Sequence, residues 1–400
     1  MHGTIDQRFR VEWRPLAALD GIVAEWRALA GRALEPNVFY EPAFALAAAP
    51  AFGRDVGAGL VWARTASSQL LGLFPARIER RRYGFSLPML VGWAHLFGPL
   101  GTPLIDRDAP TAVISAWLDH VAASPGLPDL LLMPYLPEEG PLAQAFEAAV
   151  ARRGGRSIAF NLHRRALLAP PGNRSNYLDA AIGAKKRKEL RRQRKRLAEL
   201  GAVTSSVVST PPEATAALGD FLALEAAGWK GRAGTAASAD EESRAFMQSA
   251  VAGLAQEGKA RIARLFADGR LIAAIVALTS GASAWCWKIS YDESFARFSP
   301  GVQLLSDMTQ ALLDDPMIAR ADSCAPADHP MIDHIWRERL ALSDRLVRLT
   351  PGPSARFAIA AWLEAPRRRA IALAKALRDA TRSPRKAKRL RQHRCHSATE

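Results

Sequence analysis

The stretch Ala260–Tyr291, ARIARLFADGRLIAAIVALTSGASAWCWKISY, decides the fold. It holds three apolar runs, Ala260 to Ala267, Arg270 to Thr279 and Ala282 to Tyr291. The turn Ala267-Asp268-Gly269-Arg270 between the first two is a hairpin signal, since Asp-Gly readily supplies the positive φ values of a type I′ turn. Three antiparallel strands follow from this reading. Downstream, Ser299-Pro300-Gly301 opens a helix with Ser as N-cap and Pro at the first helical position. Its apolar residues Val302, Leu304, Leu305, Met308, Leu312 and Leu313 recur at helical spacing. Ile318 to Ala325 is expected to return as a strand and Arg339 to Leu349 as the last one. Upstream, helices are expected over Leu218 to Ala227 and Asp240 to Glu257.

The first half of the chain reads as a weak copy of this order. A Trp-bearing helix (Ile22 to Ala30) and a second helix (Glu41 to Ala49) precede two apolar runs, Gly59 to Arg64 and Leu70 to Ile78. Trp26 precedes Leu70 by 44 positions, and Trp229 precedes Leu271 by 42. Pro170-Pro171-Gly172, after a strand-like stretch from Arg164 to Leu168, marks one boundary; Thr350-Pro351-Gly352-Pro353 marks another. The expected divisions are 1–170, 171–350 and 351–400. The fold class is α/β (α+β): two tandem units, each a mixed, largely antiparallel sheet flanked by helices, then a basic helical C-terminal tail. That tail is read as one or two helices broken near Pro366 and then disorder, so deletion of 352–400 is expected to leave the fold intact.

A 400-residue chain with 49% hydrophobic and 23% charged residues suits two or three globular domains and excludes a mostly disordered or collagen-like protein. No apolar stretch reaches the roughly 18 residues of a membrane span, and no apolar core follows Met1. Cys286, Cys324 and Cys395 form no CxxC pair and suit a reducing compartment. The expected location is cytoplasmic, with a peripheral place at the inner face of the membrane left open. Of the net charge of +15, Lys185 to Arg196 carries +8 and Arg382 to Glu400 carries +6, so the rest is close to neutral.

Glu225-x-x-x-Trp229-Lys230-Gly231, the strand ending Lys288-x-x-Tyr291-Asp292, the helix-opening Ser299-Pro300-Gly301 and the segment Asp322 to Trp336 together resemble one family. It is the CelD-like, cellulose-biosynthesis type branch of the GNAT acyltransferase superfamily, similar in tandem layout to the FemABX aminoacyl transferases. The resemblance implies two GNAT folds, the first degenerate and the second carrying the ligand site. The superfamily's phosphate loop, Q/R-x-x-G-x-G/A, falls here on Arg297-Phe298-Ser299-Pro300-Gly301-Val302, with Pro for the first Gly and Val for the last small residue. By this resemblance acetyl-CoA, or another acyl-CoA, is expected at Arg297, Ser299, Gly301, Val302 and Gln303, where a helix N-terminus suits a diphosphate.

Acyl transfer to an amine needs the nucleophile deprotonated, the thioester carbonyl polarised and the leaving thiolate protonated. Glu225, Asp322 and His329 are the candidate bases and Tyr291 the candidate acid. Trp229, Lys230, Trp287 and Lys288 are the candidate acceptor-binding residues. Strand alternation places Trp285, Trp287, Ile289 and Tyr291 on one face and Cys286, Lys288 and Ser290 on the other. The plainer readings stay open: Glu225 as an exposed helix carboxylate, the aromatics as core, and Lys288 reaching out to solvent. Asp328-His329-Pro330-Met331-Ile332-Asp333-His334 holds two Asp-His pairs without the spacing of a metalloprotease helix, and no metal is assigned.

Ala184 to Leu200 reads as a basic helix with a thin apolar line through Leu190, Leu197 and Leu200. It is either a solvated linker helix or a site for an anion such as CoA phosphates, tRNA, an anionic glycan or an acidic bilayer; specific DNA binding is not expected. The activity expected is transfer of an acyl group, acetyl first, to an amine or hydroxyl of a sugar, lipid or amino-acid precursor, in exopolysaccharide, cellulose or envelope biosynthesis. Two alternatives stand beside it. One is an aminoacyl-tRNA-dependent transferase; the other is a non-catalytic scaffold that binds a polysaccharide-synthase complex or a membrane surface. The acceptor, the acyl chain and the oligomeric state are not legible.

Overall fold

The structure is a computed structural model, which describes residues 8–65, 68–172, 174–371 and 373–374. In the first half, β1 (Phe9–Pro15) is followed by α1 (Val23–Gly31), α2 (Pro42–Phe52), β2 (Val56–Ala63), β3 (Leu70–Glu79), β4 (Met89–Gly92) and β5 (Leu104–Ile105). Then come α3 (Pro110–Ala123), β6 (Leu130–Pro137), α4 (Pro141–Arg152) and β7 (Arg156–Leu168). The second half begins with α5 (Tyr177–Ala181), α6 (Ala184–Ala198), β8 (Val203–Val208), α7 (Pro211–Ala227), α8 (Trp229–Arg232) and α9 (Glu241–Gln256). It continues through β9 (Ala260–Ala267), β10 (Arg270–Ser280), β11 (Ser283–Tyr291), α10 (Pro300–Asp314), β12 (Arg320–Asp322) and β13 (Glu338–Arg348).

The repeat of helices followed by three strands is present in both halves, each led by a strand, β1 or β8, that the sequence reading lacked. The Asp-Gly turn is as expected, with Asp268 at φ 49° and Gly269 at φ 73°. Two expectations change. The strand expected over Ile318 to Ala325 is three residues long, and Trp229 is not the counterpart of Trp26. Trp26 is fully buried and donates to the Tyr40 carbonyl at 2.8 Å, whereas Trp229 is 53% exposed at the start of α8.

All strands belong to one 13-stranded sheet in the order β1-β2-β3-β4-β6-β13-β7-β12-β11-β10-β9-β8, with β5 on β3. The last strand of the second half, β13, is inserted between β6 and β7 of the first. It pairs antiparallel with β7 from Glu338↔Leu167 to Arg348↔Arg156. The far end of β7 then pairs with β12, so the sheet has no seam at residue 170. The core crosses the halves as well: Trp26, Phe39 and Phe44 share one apolar cluster with Phe246, Trp285 and Trp287.

The C-terminal segment differs from its sequence reading. Residues 355–371 form one helix that runs through Pro366 without a break. Phe357 and Ala360 pack against Leu87, Met89 of β4, Leu130 and Leu132 of β6, and Leu346 of β13. The fully buried Glu364 accepts from Arg82 and from the Tyr83 hydroxyl. Residues 375–400, including all of the stretch expected to be disordered after about Arg378, lie outside the described residues. Deletion of 352–400 is therefore expected to destabilise the protein, because loss of a buried Phe side chain alone costs about 3–5 kcal/mol and Arg82 loses a buried partner. A lower urea midpoint than that of a chain ending at residue 374 is the expected result.

Candidate functional site

The site arises where two strands part. β11 and β12 run parallel for three pairs, Ser283↔Arg320, Ala284↔Ala321 and Trp285↔Asp322. β12 then ends while β11 continues to Tyr291, so the backbone of β11 beyond Trp285 has no ladder partner on that side. A cavity of about 460 Å³ opens beyond the split. Its walls are Ile289, Ser290 and Tyr291 of β11, Ser299 to Val302 at the start of α10, the turn His329-Pro330-Met331, and Glu225, Trp229 and Lys230 at the α7–α8 corner.

The strand alternation expected for β11 is broken. Val276 pairs with Lys288 but Ala277 pairs with Cys286, which leaves Trp287 as the extra residue of a β-bulge. Trp285 and Trp287 enter the core beneath α2, α7 and α9, while Cys286, Ile289 and Tyr291 turn to the α10 side. One inserted residue thereby moves Tyr291 from the face of the tryptophans to the wall of the cavity. Its hydroxyl has no hydrogen-bond partner among the described residues, and Tyr291 lines the cavity.

α10 begins from Ser299 in a left-handed conformation, φ 52° and ψ 50°. Pro300 has no N–H, and the Gln303 N–H already bonds to the Ser299 carbonyl at 3.1 Å. The N–H groups of Gly301 and Val302 therefore have no acceptor within the helix. Gly301 is buried, and a Cβ there would lie 3.3 Å from Tyr291 Cδ1 and 3.4 Å from Met331 Sδ. Backbone donors, a helix dipole and a side-chain-free approach coincide at one end of the cavity, and that arrangement fits a diphosphate. Of the five residues expected to hold the cofactor, Ser299, Gly301 and Val302 line the cavity, and Arg297 and Gln303 do not. The Arg297 guanidinium lies over the Phe298 ring at 4.7 Å, and Gln303 is buried with Nε2 donating to the Phe298 carbonyl at 2.7 Å.

The candidate bases fare differently from one another. Glu225 is buried with both oxygens engaged: Oε1 accepts from Lys230 Nζ at 2.6 Å and Oε2 from the Ala237 N–H at 2.9 Å. It pins the α7–α8 corner. Asp322 lies outside the cavity, where Oδ2 accepts from the Arg165 guanidinium and Oδ1 from the Cys324 N–H at 3.0 Å. His329 does line the cavity, and burial lowers its pKa. Its Nδ1 accepts from the Met331 N–H at 3.3 Å. We infer from that bond that the proton of the neutral ring sits on Nε2, which makes His329 a donor at rest.

Among the acceptor-binding candidates, Trp229 and Lys230 reach the cavity, and Trp287 and Lys288 stand behind it. Trp287 Nε1 donates to the Phe97 carbonyl at 2.7 Å, and Lys288 Nζ lies 4.2 Å from the Phe97 ring centroid. Burial, with repulsion from Lys230, pulls Lys288 down to about 8 from 10.5. His95, stacked on Phe52 at 4.8 Å with both ring nitrogens buried and unbonded, is pushed to about 3, again chiefly by burial. The turn His95 to Gly98 of the first half thus supplies a wall behind the second half's site. Only its His-aromatic spacing could have signalled this, since the contact depends on the pairing of the halves.

A stability consequence follows for Lys288. Below pH 8 the folded state must charge a poorly solvated amine; between about 8 and 10.5 the unfolded chain holds a proton that the folded one has released. Stability from this group therefore rises with pH across that window. Lys288→Met is expected to stabilise the protein at pH 7 by on the order of 3 kcal/mol and to flatten the rise. Urea unfolding at pH 7 and pH 10 reads both effects.

The cavity continues. Val302, Pro330 and Met331 also border a second cavity of about 410 Å³, which reaches Lys186 and Leu190 of α6 as well as His334 and Arg337. α6 is held by the buried Leu197 and by Arg194, which pairs with Asp307 of α10 at 3.0 Å. Leu200, expected on its apolar line, is half exposed. Among the described residues no group of three or more His, Cys, Asp or Glu could hold a metal ion. No helix there is long and apolar enough to cross a membrane.

Residues 184–329 match the model of the acetyltransferase (GNAT) domain family. The crystal structure of FemX is similar at TM-score 0.52 and 8% identity, covering 82% of this chain and 95% of FemX. The C-terminal domain of a putative lysylphosphatidylglycerol synthetase from Agrobacterium fabrum is similar at TM-score 0.52 and 13% identity, covering 86% of this chain and 96% of that one. No curated protein matches the chain by sequence. The parted strands, the helix that opens at Ser299 and all of the named cavity walls except Pro330 and Met331 fall in the matched span, and the chain carries a GNAT-type acyltransferase fold in tandem layout.

Proposed function

We propose that this protein is an acyl-CoA-dependent N- or O-acyltransferase, with acetyl-CoA the first donor to test. The observation that carries the reading is Tyr291, whose hydroxyl has no hydrogen-bond partner among the described residues, in a cavity that the N-terminus of α10 also lines. Acyl-CoA supplies an activated thioester. The Gly301 and Val302 N–H groups hold the diphosphate, and the unpaired edge of β11 beyond Trp285 hydrogen-bonds the amides of the donor's arm. Tyr291 gives a proton to the departing sulfur and regains one from the acceptor, so that a proton passes from nucleophile to thiol overall. His329 Nε2–H and Lys230 orient the acceptor. With Glu225 bound to Lys230, among the described residues the cavity has no free carboxylate as a base, which favours an acceptor that enters as a neutral amine. The acceptor class, a sugar, lipid or amino-acid precursor, and a place in exopolysaccharide, cellulose or envelope synthesis rest on the CelD-like resemblance.

A second reading, transfer from aminoacyl-tRNA, is favoured by the continuation of the cavity toward Lys186, Arg337 and the basic α6. Titration calorimetry of the full chain with acetyl-CoA, desulfo-CoA and an uncharged tRNA pool separates the readings. Binding of the two CoA compounds alone supports the first and binding of tRNA alone the second. Binding of none favours a non-catalytic scaffold.

A further inference from the structure

The C-terminal helix over 355–371 has two apolar sides and one known partner. Phe357, Ala360 and Glu364, at spacings of three and four, face the sheet and are buried. At 100° per residue, Ile359, Trp362, Pro366 and Leu373 fall within a sector of about 60° on the opposite side. Trp362 is 74% exposed, and Ile359, Ile371 and Leu373 are exposed with it. A Trp at that exposure on a helix otherwise fixed by a buried salt bridge is a costly surface for a protein in water alone.

Cations without ion pairs lie on the helix and on the turn that packs against it. Arg369 is exposed beside it and makes no ion pair among the described residues. The turn between β3 and β4 packs on the same helix through Arg82 and Tyr83, both bonded to Glu364. That turn presents the exposed Arg80 and Arg81, also without ion pairs among the described residues, and the 45% exposed Phe85. Seven further Lys and Arg follow between Arg382 and Arg394. The carboxylates that contact this turn and helix, Glu79, Asp129, Asp344 and Glu364, are each already paired with an arginine.

We propose that this face docks on an anionic lipid bilayer, with the stripe of Ile359, Trp362 and Leu373 at the headgroup boundary and Arg80, Arg81 and Arg369 on the lipid phosphates. An interfacial helix has this composition, an apolar side carrying Trp with basic residues around it. A second copy of the chain is a poor occupant, because a two-fold contact would bring the same unpaired arginines face to face. A nucleic acid would leave the apolar stripe uncovered.

The test is co-sedimentation of the full chain with vesicles of phosphatidylcholine alone and of three parts phosphatidylglycerol to seven parts phosphatidylcholine. Binding to the mixed vesicles is expected. Ile359→Ser/Trp362→Ser should weaken it about tenfold or more at an unchanged melting temperature, since both side chains are exposed. Arg80→Gln/Arg81→Gln/Arg369→Gln should lower the preference for the anionic lipid. Three results overturn the proposal: unaltered binding by the serine variant, which would leave the basic residues after Arg382 as the sole attachment; preference for a tRNA pool over vesicles; or a dimer, dispersed by the serine variant, that ignores lipid.

Discussion

Gly301→Glu is expected to weaken acetyl-CoA binding a hundredfold or more while the protein stays folded. The new side chain would start 3.3 Å from Tyr291 and 3.4 Å from Met331, beside the backbone N–H groups proposed to hold the diphosphate. Like charges about 4 Å apart at an effective dielectric near 20 repel by roughly 4 kcal/mol before screening, which exceeds the roughly 2.7 kcal/mol of a hundredfold loss. A carboxylate in the first helical turn suits the dipole, so the stability cost should come only from the tight contact with Tyr291 and Met331. Gly301→Ala separates the two effects, since it adds the contact without the charge. Calorimetric titration of all three proteins is the measurement. Equal affinity in parent and Gly301→Glu would place the donor elsewhere.

Among single substitutions, the largest loss of stability is expected at Asp322, one of the candidate bases. Its carboxylate faces Arg165 of β7 with both side chains almost wholly buried. Arg165 otherwise donates to the Pro99 carbonyl at 2.9 Å. Asp322→Asn leaves a buried guanidinium without its counter-charge, a change that typically costs about 3–5 kcal/mol. Replacing both partners, as Arg165→Met/Asp322→Leu, should recover much of that. Denaturant unfolding reads the stability, and turnover at low temperature reads the chemistry. A variant Asp322→Asn that unfolds like the parent but has lost turnover would return Asp322 to a catalytic role.

What the sequence could and could not reveal divides along physical lines. Local chemistry was readable: Asp268-Gly269 in its hairpin turn and Pro300 at the first helical position follow from backbone preferences of those residues, whereas Ser299 precedes the helix in a left-handed conformation and without the side-chain cap expected of it. Tyr291, Ser299, Gly301 and His329 all line one cavity. The bulge at Trp287 left no mark on the pattern, because a run of aromatic and apolar residues is compatible with either face. Asp322 read as an available carboxylate because its counter-charge is remote in sequence. The Arg165 partner lies 157 positions away, and no spacing rule connects them. Phe357 and Glu364 looked like part of a tail because their partners, Leu87 and Arg82, belong to the opposite end of the chain.

The insertion of β13 between β6 and β7 has a consequence for synthesis on the ribosome. β6 ends at Pro137 and β7 begins at Arg156, yet the strand that must lie between them is not made until residue 348. During elongation the emerging first half carries two strand edges with unsatisfied backbone groups facing an empty lane. It cannot complete its sheet until almost the whole chain has left the exit tunnel, and closing a loop of this length slows the final step. A nascent chain arrested before Glu338 should therefore recruit chaperones and resist refolding, and release of the full chain should be the event that makes it protease-resistant.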